Sequence, residues 1–407
     1  MNTINTGDTA WVLASSVLVL MMTSALAFFY GGMVRRKNIL STLNLSFILM
    51  GLIGCQWILC GYSLAFGRDL GGLIGGLDFL GMKNVGVHPE SRYAIGIPHL
   101  AFALFQMMFA IITPALITGA VVERIRFSSF LLFSLLWATL VYDPVAHWVW
   151  GDGGWLRKLG ALDFAGGTVV HIAAGFSALA FALVMGTRKG FAHYTIEPHH
   201  IPYTVLGAGL LWIGWFGFNG GSALAANGLA ANAILTTNTA AAAAAVVWMA
   251  LGWRENKPSV LGIVTGAVVG LVAITPAAGF VTPLSALAIG ATAAPLSYYA
   301  IRFRQKLGLD DSLDVWACHG IGGLWGALAT GLFTTRTVNE AGADGLFYGN
   351  LSQFLIQAFA SFVMVFYVFI VTYVLASLLK MTIGLRVSSM EEEVGLDISE
   401  HGEQAYA

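Results

Sequence analysis

Long apolar segments recur along the chain, and short polar connections separate them. A helix needs about 20 apolar residues to cross the hydrocarbon core of a bilayer. Eleven segments have that character: 9–31, 39–66, 96–120, 128–150, 165–186, 201–220, 230–253, 258–280, 283–303, 313–335 and 350–380. The pattern predicts an all-α polytopic membrane protein with eleven transmembrane helices. Residues 1–380 would form the transmembrane domain, and residues 381–407 a polar cytoplasmic tail.

Basic residues are distributed unequally between the two sets of connections. Of the 20 Lys and Arg residues, 14 fall in one set: Arg35, Arg36, Lys37, Arg124, Arg126, Arg188, Lys189, Arg254, Lys257, Arg302, Arg304, Lys306, Lys380 and Arg386. Because cytoplasmic connections carry an excess of Lys and Arg, this set is predicted to be cytoplasmic. The N-terminus would then lie outside the cytoplasmic membrane and the C-terminus inside the cell. Residues 1–8 carry no basic side chain, so we expect no separate signal peptide.

Short motifs recur five segments apart. They are FYGG at 29–32 and FNGG at 218–221, ITPA at 112–115 and 274–277, and an Asp–His pair eight residues apart at 163/171 and 311/319. An odd offset reverses the direction in which a segment crosses the membrane. The chain is therefore predicted to hold an inverted repeat of five plus five helices, with the eleventh outside it. In such transporters the functional site lies at the interface between the repeats.

Two histidines are predicted to lie near the middle of the bilayer. His171 and His319 each follow an aspartate, Asp163 or Asp311, by eight residues. Eight residues of helix span about 12 Å, and the hydrocarbon core is about 30 Å thick. Ionisable groups at this depth usually line a pathway, and a neutral imidazole can both donate and accept a hydrogen bond. The aspartates are expected to cap the helices.

The residues alone leave other interpretations of the histidines open. They could be two unrelated side chains that make interhelical hydrogen bonds, or the axial ligands of a haem. A metal pair has less support, because no Cys, Glu or third His stands at ligand spacing. We expect neither a metal nor another cofactor.

Aromatic residues gather at the predicted external ends of three segments. They are Phe102, Phe105 and Phe109 on the third, Trp148, Trp150 and Trp155 on and after the fourth, and Trp215, Phe216 and Phe218 on the sixth, with Ser222 just beyond. Anchoring at the membrane surface is the ordinary role of such residues. Their convergence favours a cation site, because aromatic faces attract cations. Ammonium, which also donates hydrogen bonds, would suit this site better than sodium.

Composition excludes several classes of protein. The chain is 57% hydrophobic and 10% charged, against about 25% charged residues in soluble domains. This excludes a soluble enzyme and a disulfide scaffold. With a net charge of −1, no global field attracts a polyanion, so no nucleic-acid partner is expected. The sequence has no nucleophile elbow, P-loop or HExxH motif, so we expect no enzyme activity.

At these motifs the chain closely resembles the ammonium transporter family (Amt/Mep) of the prokaryotic type, over nearly its whole length. The motifs that carry the resemblance are FFYGG at 28–32, ERIRF at 123–127, DFAGGTVVH at 163–171, WFGFNGGS at 215–222 and GLR at 384–386. The resemblance implies a homotrimer in the lipid bilayer, with one pore in each subunit. Its implied function is ammonium transport for nitrogen uptake.

The resemblance also implies three groups of functional side chains along one path. They are a substrate site of Trp150, Ser222, Phe109 and Asp163, a gate of Phe109, Phe218, Phe105 and Trp215, and a twin-histidine pore of His171 and His319. The related Rh proteins typically lack the Trp and the Ser of the substrate site, so Trp150 and Ser222 favour an Amt protein. Leu313 departs from the pattern, because several relatives have a small residue there.

The implied mechanism begins with recruitment of ammonium at the external site. The cation would lose its proton, and ammonia would cross a hydrophobic pore, with net charge movement expected. One alternative is a passive ammonia or gas channel of the Rh kind. A second is an ammonium sensor with little flux.

The last residues are polar and acidic. By composition alone, residues 388–407 are equally compatible with a solvated tail. The segments GLD at 395–397 and HGE at 401–403 resemble the family's cytoplasmic tail. That resemblance implies coupling between subunits and regulation by a trimeric PII signalling protein.

Overall fold

The computed structural model describes residues 4–191 and 196–406. Within these two ranges, nine helices are long and apolar enough to cross a membrane. They are Thr6–Gly31, Arg36–Phe66, His99–Val121, Phe127–Leu159, Gly167–Met185, Ile201–Gly221, Gly228–Glu255, Pro283–Lys306 and Leu351–Thr382. Each overlaps one predicted segment, so the prediction of an all-α polytopic protein is confirmed. The other two predicted segments, 258–280 and 313–335, form shorter helices than predicted. The count of eleven spans stays a prediction.

The elements follow one another with short connections. The α-helices are α1 (Thr6–Gly31), α2 (Ile39–Gln56), α3 (Tyr62–Phe66), α4 (His99–Val121), α5 (Phe127–Trp137), α6 (Asp143–Trp150), α7 (Trp155–Leu159), α8 (Ala173–Met185), α9 (Ile201–Gly221), α10 (Gly228–Glu255), α11 (Val260–Ile274), α12 (Pro283–Lys306), α13 (Gly322–Phe333), α14 (Leu351–Thr382), α15 (Ser389–Val394) and α16 (Leu396–His401). Two short strands, β1 (Asp69–Leu70) and β2 (Ile74–Gly75), form an antiparallel hairpin after α3.

Wider π-helical turns interrupt or begin four of the long helices in the described ranges. They lie at Trp57–Gly61, Ala138–Tyr142, Gly167–Ile172 and Trp316–Ile321. The first joins α2 to α3, the second joins α5 to α6, and the last two precede α8 and α13. Such turns are rare and are often found at functional sites. The last two contain the predicted pore histidines.

The two ITPA motifs have different outcomes. Helix α4 continues through Pro114 to Val121, whereas α11 ends at Ile274, two residues before Pro276. A proline removes one backbone donor, which does not by itself end a helix, because α4 continues past Pro114. The carbonyl of Pro276 instead accepts the N–H of Phe164 at 3.1 Å. The predicted helix at 258–280 therefore ends early, and its last residues contact the start of the Gly167–Met185 helix.

Small residues bring the helices close together. A Cβ atom on Gly207 of α9 would lie 2.6 Å from the carbonyl oxygen of Ala25 in α1, and one on Gly290 of α12 would lie 2.7 Å from the Cα of Ala240 in α10. Such positions let backbones pack directly, which is the main source of helix association in lipid. The helical core is therefore joined backbone to backbone at these points.

The polar tail is packed against the protein, so the alternative of a solvated tail is wrong. Ser388 and Glu391 form a capping box that begins α15. The backbone N–H of Leu396 donates to Asn38 at 2.8 Å, and Asp397 accepts the N–H of Ser41 at 2.9 Å. Leu396 and Asp397 are buried. The tail thus lies on the connection between α1 and α2.

Buried ion pairs join the connections at the same end of the molecule. Arg188 donates to Glu123 at 2.9 Å and to Asp310 at 2.8 Å, and Arg35 donates to Glu123 at 3.0 Å. Burial alone would raise the pKa of Glu123, but Arg188 and Arg35 outweigh it and lower that pKa. The pKa of Asp310 is likewise lowered, because Arg188 and Arg124 outweigh its burial. Both carboxylates are therefore held in their charged form.

Candidate functional site

Three cavities follow one another through the helical core. We call the one beside the predicted external connections the outer cavity, and the one beside the predicted cytoplasmic connections the inner cavity. The outer cavity has a volume of about 200 Å³ and is lined by Phe109, Trp150 and Ser222. The inner cavity has a volume of about 490 Å³ and is lined by His319 and Leu313 among others. Between them lies a constriction of about 10 Å³ that the two histidines share with aromatic and aliphatic side chains: Phe29, Ile112, Leu116, Val170, Trp215 and Phe218.

The outer cavity places an indole ring beside a hydroxyl. Trp150 is the last residue of α6, and its indole N–H donates to the carbonyl of Asp163 at 3.0 Å. Its ring centroid lies 5.9 Å from that of Phe109 in an edge-to-face arrangement. Ser222 follows α9 and donates its hydroxyl hydrogen to the carbonyl of Phe218 at 2.8 Å. The hydroxyl oxygen keeps its capacity to accept a hydrogen bond.

Two phenyl rings separate the outer cavity from the constriction. Phe109 lines the outer cavity and Phe218 lines the constriction, with ring centroids 4.4 Å apart. Phe105 is buried behind Phe109, at 4.9 Å between centroids. Trp215 packs against Phe218 at 5.6 Å and is fixed by an indole N–H bond to Thr275 at 2.9 Å. The predicted gate residues thus form one cluster.

The two histidines meet in the constriction. His171 and His319 are 1% and 3% exposed, and their Nδ1 atoms lie 3.3 Å apart. One of these nitrogens must donate and the other accept, so the contact holds a single proton. The Nε2 atom of His171 has no hydrogen-bond partner among the described residues.

Each histidine stands on a helix that an aspartate caps, as the spacing predicts. Asp163 accepts the backbone N–H groups of Gly166 and Thr168 at 2.7 Å, and Asp311 accepts that of Trp316 at 2.7 Å. Thr168 lies five positions after Asp163, and Trp316 lies five positions after Asp311. The carboxylate of Asp163 is thus occupied by the helix, and this residue reaches the outer cavity through its carbonyl bond to Trp150.

The glycines beside the histidines permit this contact. A Cβ atom on Gly175 would overlap the backbone of Gly320, and one on Gly323 would lie 2.8 Å from the Cβ of His171. The two histidine-bearing helices therefore cross where neither has a side chain.

Comparison with known proteins identifies the family. Residues 10–406 match the Ammonium Transporter Family. The chain belongs to this family. Ammonium transporter Amt1 of Archaeoglobus fulgidus is 53% identical over 400 residues, which cover 98% of this chain and 99% of that protein. The resemblance inferred from the motifs is confirmed, and this ammonium transporter family member is a multi-pass membrane protein.

Solved structures agree with this assignment. The crystal structure of Candida albicans Mep2 has a TM-score of 0.90 and 35% identity, and the match covers 99% of this chain and 91% of that one. A sensor Amt protein has a TM-score of 0.88 and 31% identity, with 97% and 98% covered. Nearly the whole chain therefore has the fold of these Amt and Mep2 proteins.

Several residues that line the outer cavity of this transporter were not predicted. They are Arg92, Tyr93, Gln106 and Arg157. Arg157 donates to the carbonyl of Trp150 at 2.9 Å. The one available signal was Gln106, a polar residue on the apolar α4, three positions before Phe109. The arginines come from connections, where a charged residue carries no such signal.

Metal ligation has no support in the part of the transporter that the structure describes. In that part no group of three or more His, Cys, Asp and Glu side chains could hold a metal ion. Cys318 borders the inner cavity beside His319 but is itself buried. The outer cavity thus offers aromatic faces, hydroxyl, amide and guanidinium groups, and the constriction offers two imidazoles amid aromatic and aliphatic side chains.

Proposed function

We propose that this chain carries ammonium across the cytoplasmic membrane by binding the cation outside, removing its proton and conducting ammonia past the twin histidines. The observation that carries this proposal is the order of the path. A cavity of about 200 Å³ is followed by two phenyl rings in tilted contact, a constriction of about 10 Å³ and an inner cavity of about 490 Å³. Trp150, Ser222, Phe109 and Asp163 would form the substrate site, and Phe105, Phe109, Trp215 and Phe218 the gate.

The outer cavity suits a small cation that donates hydrogen bonds. The faces of Trp150 and Phe109 attract a cation, with about 2 kcal/mol or more when the ion is desolvated. The oxygen of Ser222 can accept one N–H from ammonium. Potassium has the same charge but no hydrogen to donate, so it could not form that hydrogen bond.

The constriction suits ammonia and opposes ammonium. A bare cation in apolar surroundings lacks the hydration it had in water, and isolated buried charges are very costly. Its lining offers two polar side chains, His171 and His319, amid apolar and aromatic groups. Ammonia can bond to these imidazoles as donor or acceptor.

The histidine pair supplies a separate route for the proton. Because one proton lies between the two Nδ1 atoms, a proton accepted at one outer nitrogen can be matched by one released at the other. A proton that crosses in this way alongside ammonia makes transport electrogenic. Passive ammonia conduction of the Rh kind would lack this coupled movement.

We further propose eleven spans, with an inverted five-plus-five repeat around the pore, an external N-terminus and a cytoplasmic tail. The caps of the two histidine-bearing helices support the repeat, because Asp163 and Asp311 each accept the backbone N–H of the residue five positions on, at 2.7 Å. The subunits would form a homotrimer, with a PII protein binding at the tail face. Analytical ultracentrifugation tests the trimer, and a pull-down with purified PII under each nucleotide condition tests the partner.

The test of transport is charge displacement in proteoliposomes after an ammonium jump. The variant His171→Leu removes the relay, and His88→Leu is the matched control, because His88 lies exposed on the connection before α4. We expect a sustained current in the unmodified chain and in His88→Leu, and none in His171→Leu. A wild-type current that survives in His171→Leu would refute the twin-histidine route.

A pH-sensitive dye inside the vesicles separates the alternatives. Alkalinisation of the lumen without a current would favour a passive ammonia channel. Neither a current nor a change in pH would favour a sensor.

A further inference from the structure

Both ring nitrogens of a buried histidine near the outer cavity face hydrogen-bond acceptors. His147 lies on α6, one turn before Trp150, and is fully buried at 0% exposure. Its Nδ1 atom lies 2.9 Å from the carbonyl oxygen of Ala65, and its Nε2 atom lies 2.9 Å from Oδ1 of Asp69. A carbonyl can only accept, and so can an ionised carboxylate. A neutral imidazole has one N–H, so it can donate to only one of these two oxygens, and hydrogen bonds to both need an N–H on each ring nitrogen.

The carboxylate of Asp69 is held in its charged form. Its Oδ1 atom accepts the N–H of Gly72 at 2.7 Å, and its Oδ2 atom accepts from Lys158 at 3.3 Å. Burial raises the pKa of Asp69, but the hydrogen bonds from His147, Gly72 and Lys158 outweigh it and lower that pKa. A protonated Asp69 facing a neutral His147 would forgo these bonds to a charged acceptor. The groups that face the imidazole are thus Ala65 from α3 and Asp69 from β1, with Lys158 of α7 behind Asp69.

The contacts of His147 hold the end of α6 on the outer hairpin. The next residue, Trp148, donates its indole N–H to the carbonyl of Leu73 at 2.7 Å. Immediately after Trp150 the chain turns at Gly151, where a Cβ atom would lie 2.5 Å from Nδ1 of His147. Only a glycine therefore leaves room for the imidazole at this turn. The helix end that carries Trp150 is fixed by His147 from one side and by the hairpin from another.

We propose that Ala65 and Asp69 hold His147 as an imidazolium and that this charged pair positions Trp150 in the external ammonium site. The inference rests on the proposed function, because it assigns His147 a role in the affinity of that site. His147 does not line the outer cavity. It acts through the position of α6 along and around its own axis. That position sets the distance of 5.9 Å between the ring centroids of Trp150 and Phe109. It is therefore a positioning residue.

The variant Asp69→Asn tests the charged pair with little change in shape. An asparagine oxygen in the place of Oδ1 can still accept from Gly72 and from Nε2, but it carries no negative charge. An imidazolium at His147 would then lack its counter-charge, so we expect His147 to become neutral in this variant. Lys158→Met is the matched control, because Lys158 contacts the same carboxylate but its side chain is 64% exposed. Loss of so exposed a partner is expected to change little.

Two spectroscopic measurements on proteoliposomes at pH 7 need no substrate. In ¹⁵N-histidine-labelled protein, with the signals assigned by His147→Gln, we expect two protonated nitrogens on His147 and only one in Asp69→Asn. In protein labelled with 5-fluorotryptophan, with Trp150 assigned by Trp150→Phe, we expect its ¹⁹F signal to shift in Asp69→Asn and to stay in place in Lys158→Met.

The transport measurement is the ammonium concentration that gives half of the maximal charge displacement. We expect it to rise about fivefold in Asp69→Asn with the maximal current retained, because a displaced binding residue weakens substrate binding and leaves the pore intact. In Lys158→Met it should not change.

An unprotonated nitrogen on His147 in the unmodified chain would overturn the imidazolium, and this measurement does not depend on the folding of Asp69→Asn. An unchanged Trp150 signal and an unchanged half-saturating concentration in Asp69→Asn would overturn the positioning role. Absence of any ammonium current in the unmodified chain would overturn the proposed function instead, while the ¹⁵N and ¹⁹F signals would still decide on His147 and Trp150.

Discussion

The close approach of the two histidine-bearing helices makes Gly175 sensitive to a single added methyl group. A Cβ atom there would overlap the backbone nitrogen and Cα of Gly320 and lie 2.8 Å from the carbonyl carbon of His319. Carbon atoms in contact are about 3.5 Å apart or more. The variant Gly175→Ala must therefore push the Trp316–Ile321 turn away from α8 by more than the roughly 0.7 Å that the contact with His319 alone requires, because the atoms of Gly320 lie closer.

Such a shift is large for the histidine pair. If all of it reaches the rings, the Nδ1–Nδ1 distance of 3.3 Å becomes about 4 Å, beyond the reach of a hydrogen bond. Overpacking of a well-packed core also costs about 1–3 kcal/mol of stability. We expect Gly175→Ala to lower the unfolding temperature and to abolish the ammonium current.

Gly209→Ala in α9 is the matched control, because nothing lies within 4 Å of the added methyl group. Alanine is favoured over glycine in a helix by about 1 kcal/mol, so this variant should be as stable as the unmodified chain or more stable. Thermal unfolding in detergent and charge displacement in proteoliposomes measure the two effects. A Gly175→Ala protein with the unmodified unfolding temperature and current would refute the argument from backbone contact.

Three further predictions concern the external site, the buried ion pairs and the tail. Trp150→Phe keeps an aromatic face but loses the indole bond to Asp163, so the half-saturating ammonium concentration should rise several-fold, as read from charge displacement, with little change in maximal current. Asp310→Asn breaks the pair with Arg188 and should cost about 3 kcal/mol at pH 7. The pKa of Asp310 is lowered in the folded chain, so the stabilisation by its carboxylate is complete above its ordinary pKa of about 4 and is lost as the pH falls further. Between pH 7 and pH 3, the unfolding temperature should therefore fall less steeply in Asp310→Asn than in the unmodified chain. Gly395→Ala adds a side chain at a φ of 111° against the connection before α2 and should release the tail, which limited proteolysis would detect as faster cleavage after residue 387.

The helices and the histidine pair could be predicted because the bilayer imposes strong rules. Apolar length predicted the helices, and the eight-residue spacing from Asp163 to His171 predicted the cap. The end of α11 could not be predicted from its motif, because the same ITPA motif lies inside α4 and at the end of α11. The π-helical turns could not be predicted, because one extra residue in a turn leaves the apolar pattern of a buried helix unchanged.

Contacts between distant parts of the chain were also beyond the sequence. Leu396 reads as part of a polar tail, and its burial depends on Asn38, which lies 358 positions away. His147 precedes Trp148 and Trp150, and no motif in the sequence singles it out. Its partners Ala65 and Asp69 lie 82 and 78 positions away, on segments with no pattern of their own.

The backbone-to-backbone packing of α1 with α9 and of α10 with α12 has a consequence for the rate of turnover. Helices joined through small residues have little freedom to tilt, so opening of the path falls to rotation of the rings of Phe109 and Phe218. Collective movements of domains take microseconds to milliseconds, whereas side-chain rotations can be much faster. Turnover in this transporter would then be limited by the passage of substrate and proton through a rigid helical bundle. Its rate should depend only weakly on the stiffness of the surrounding lipid.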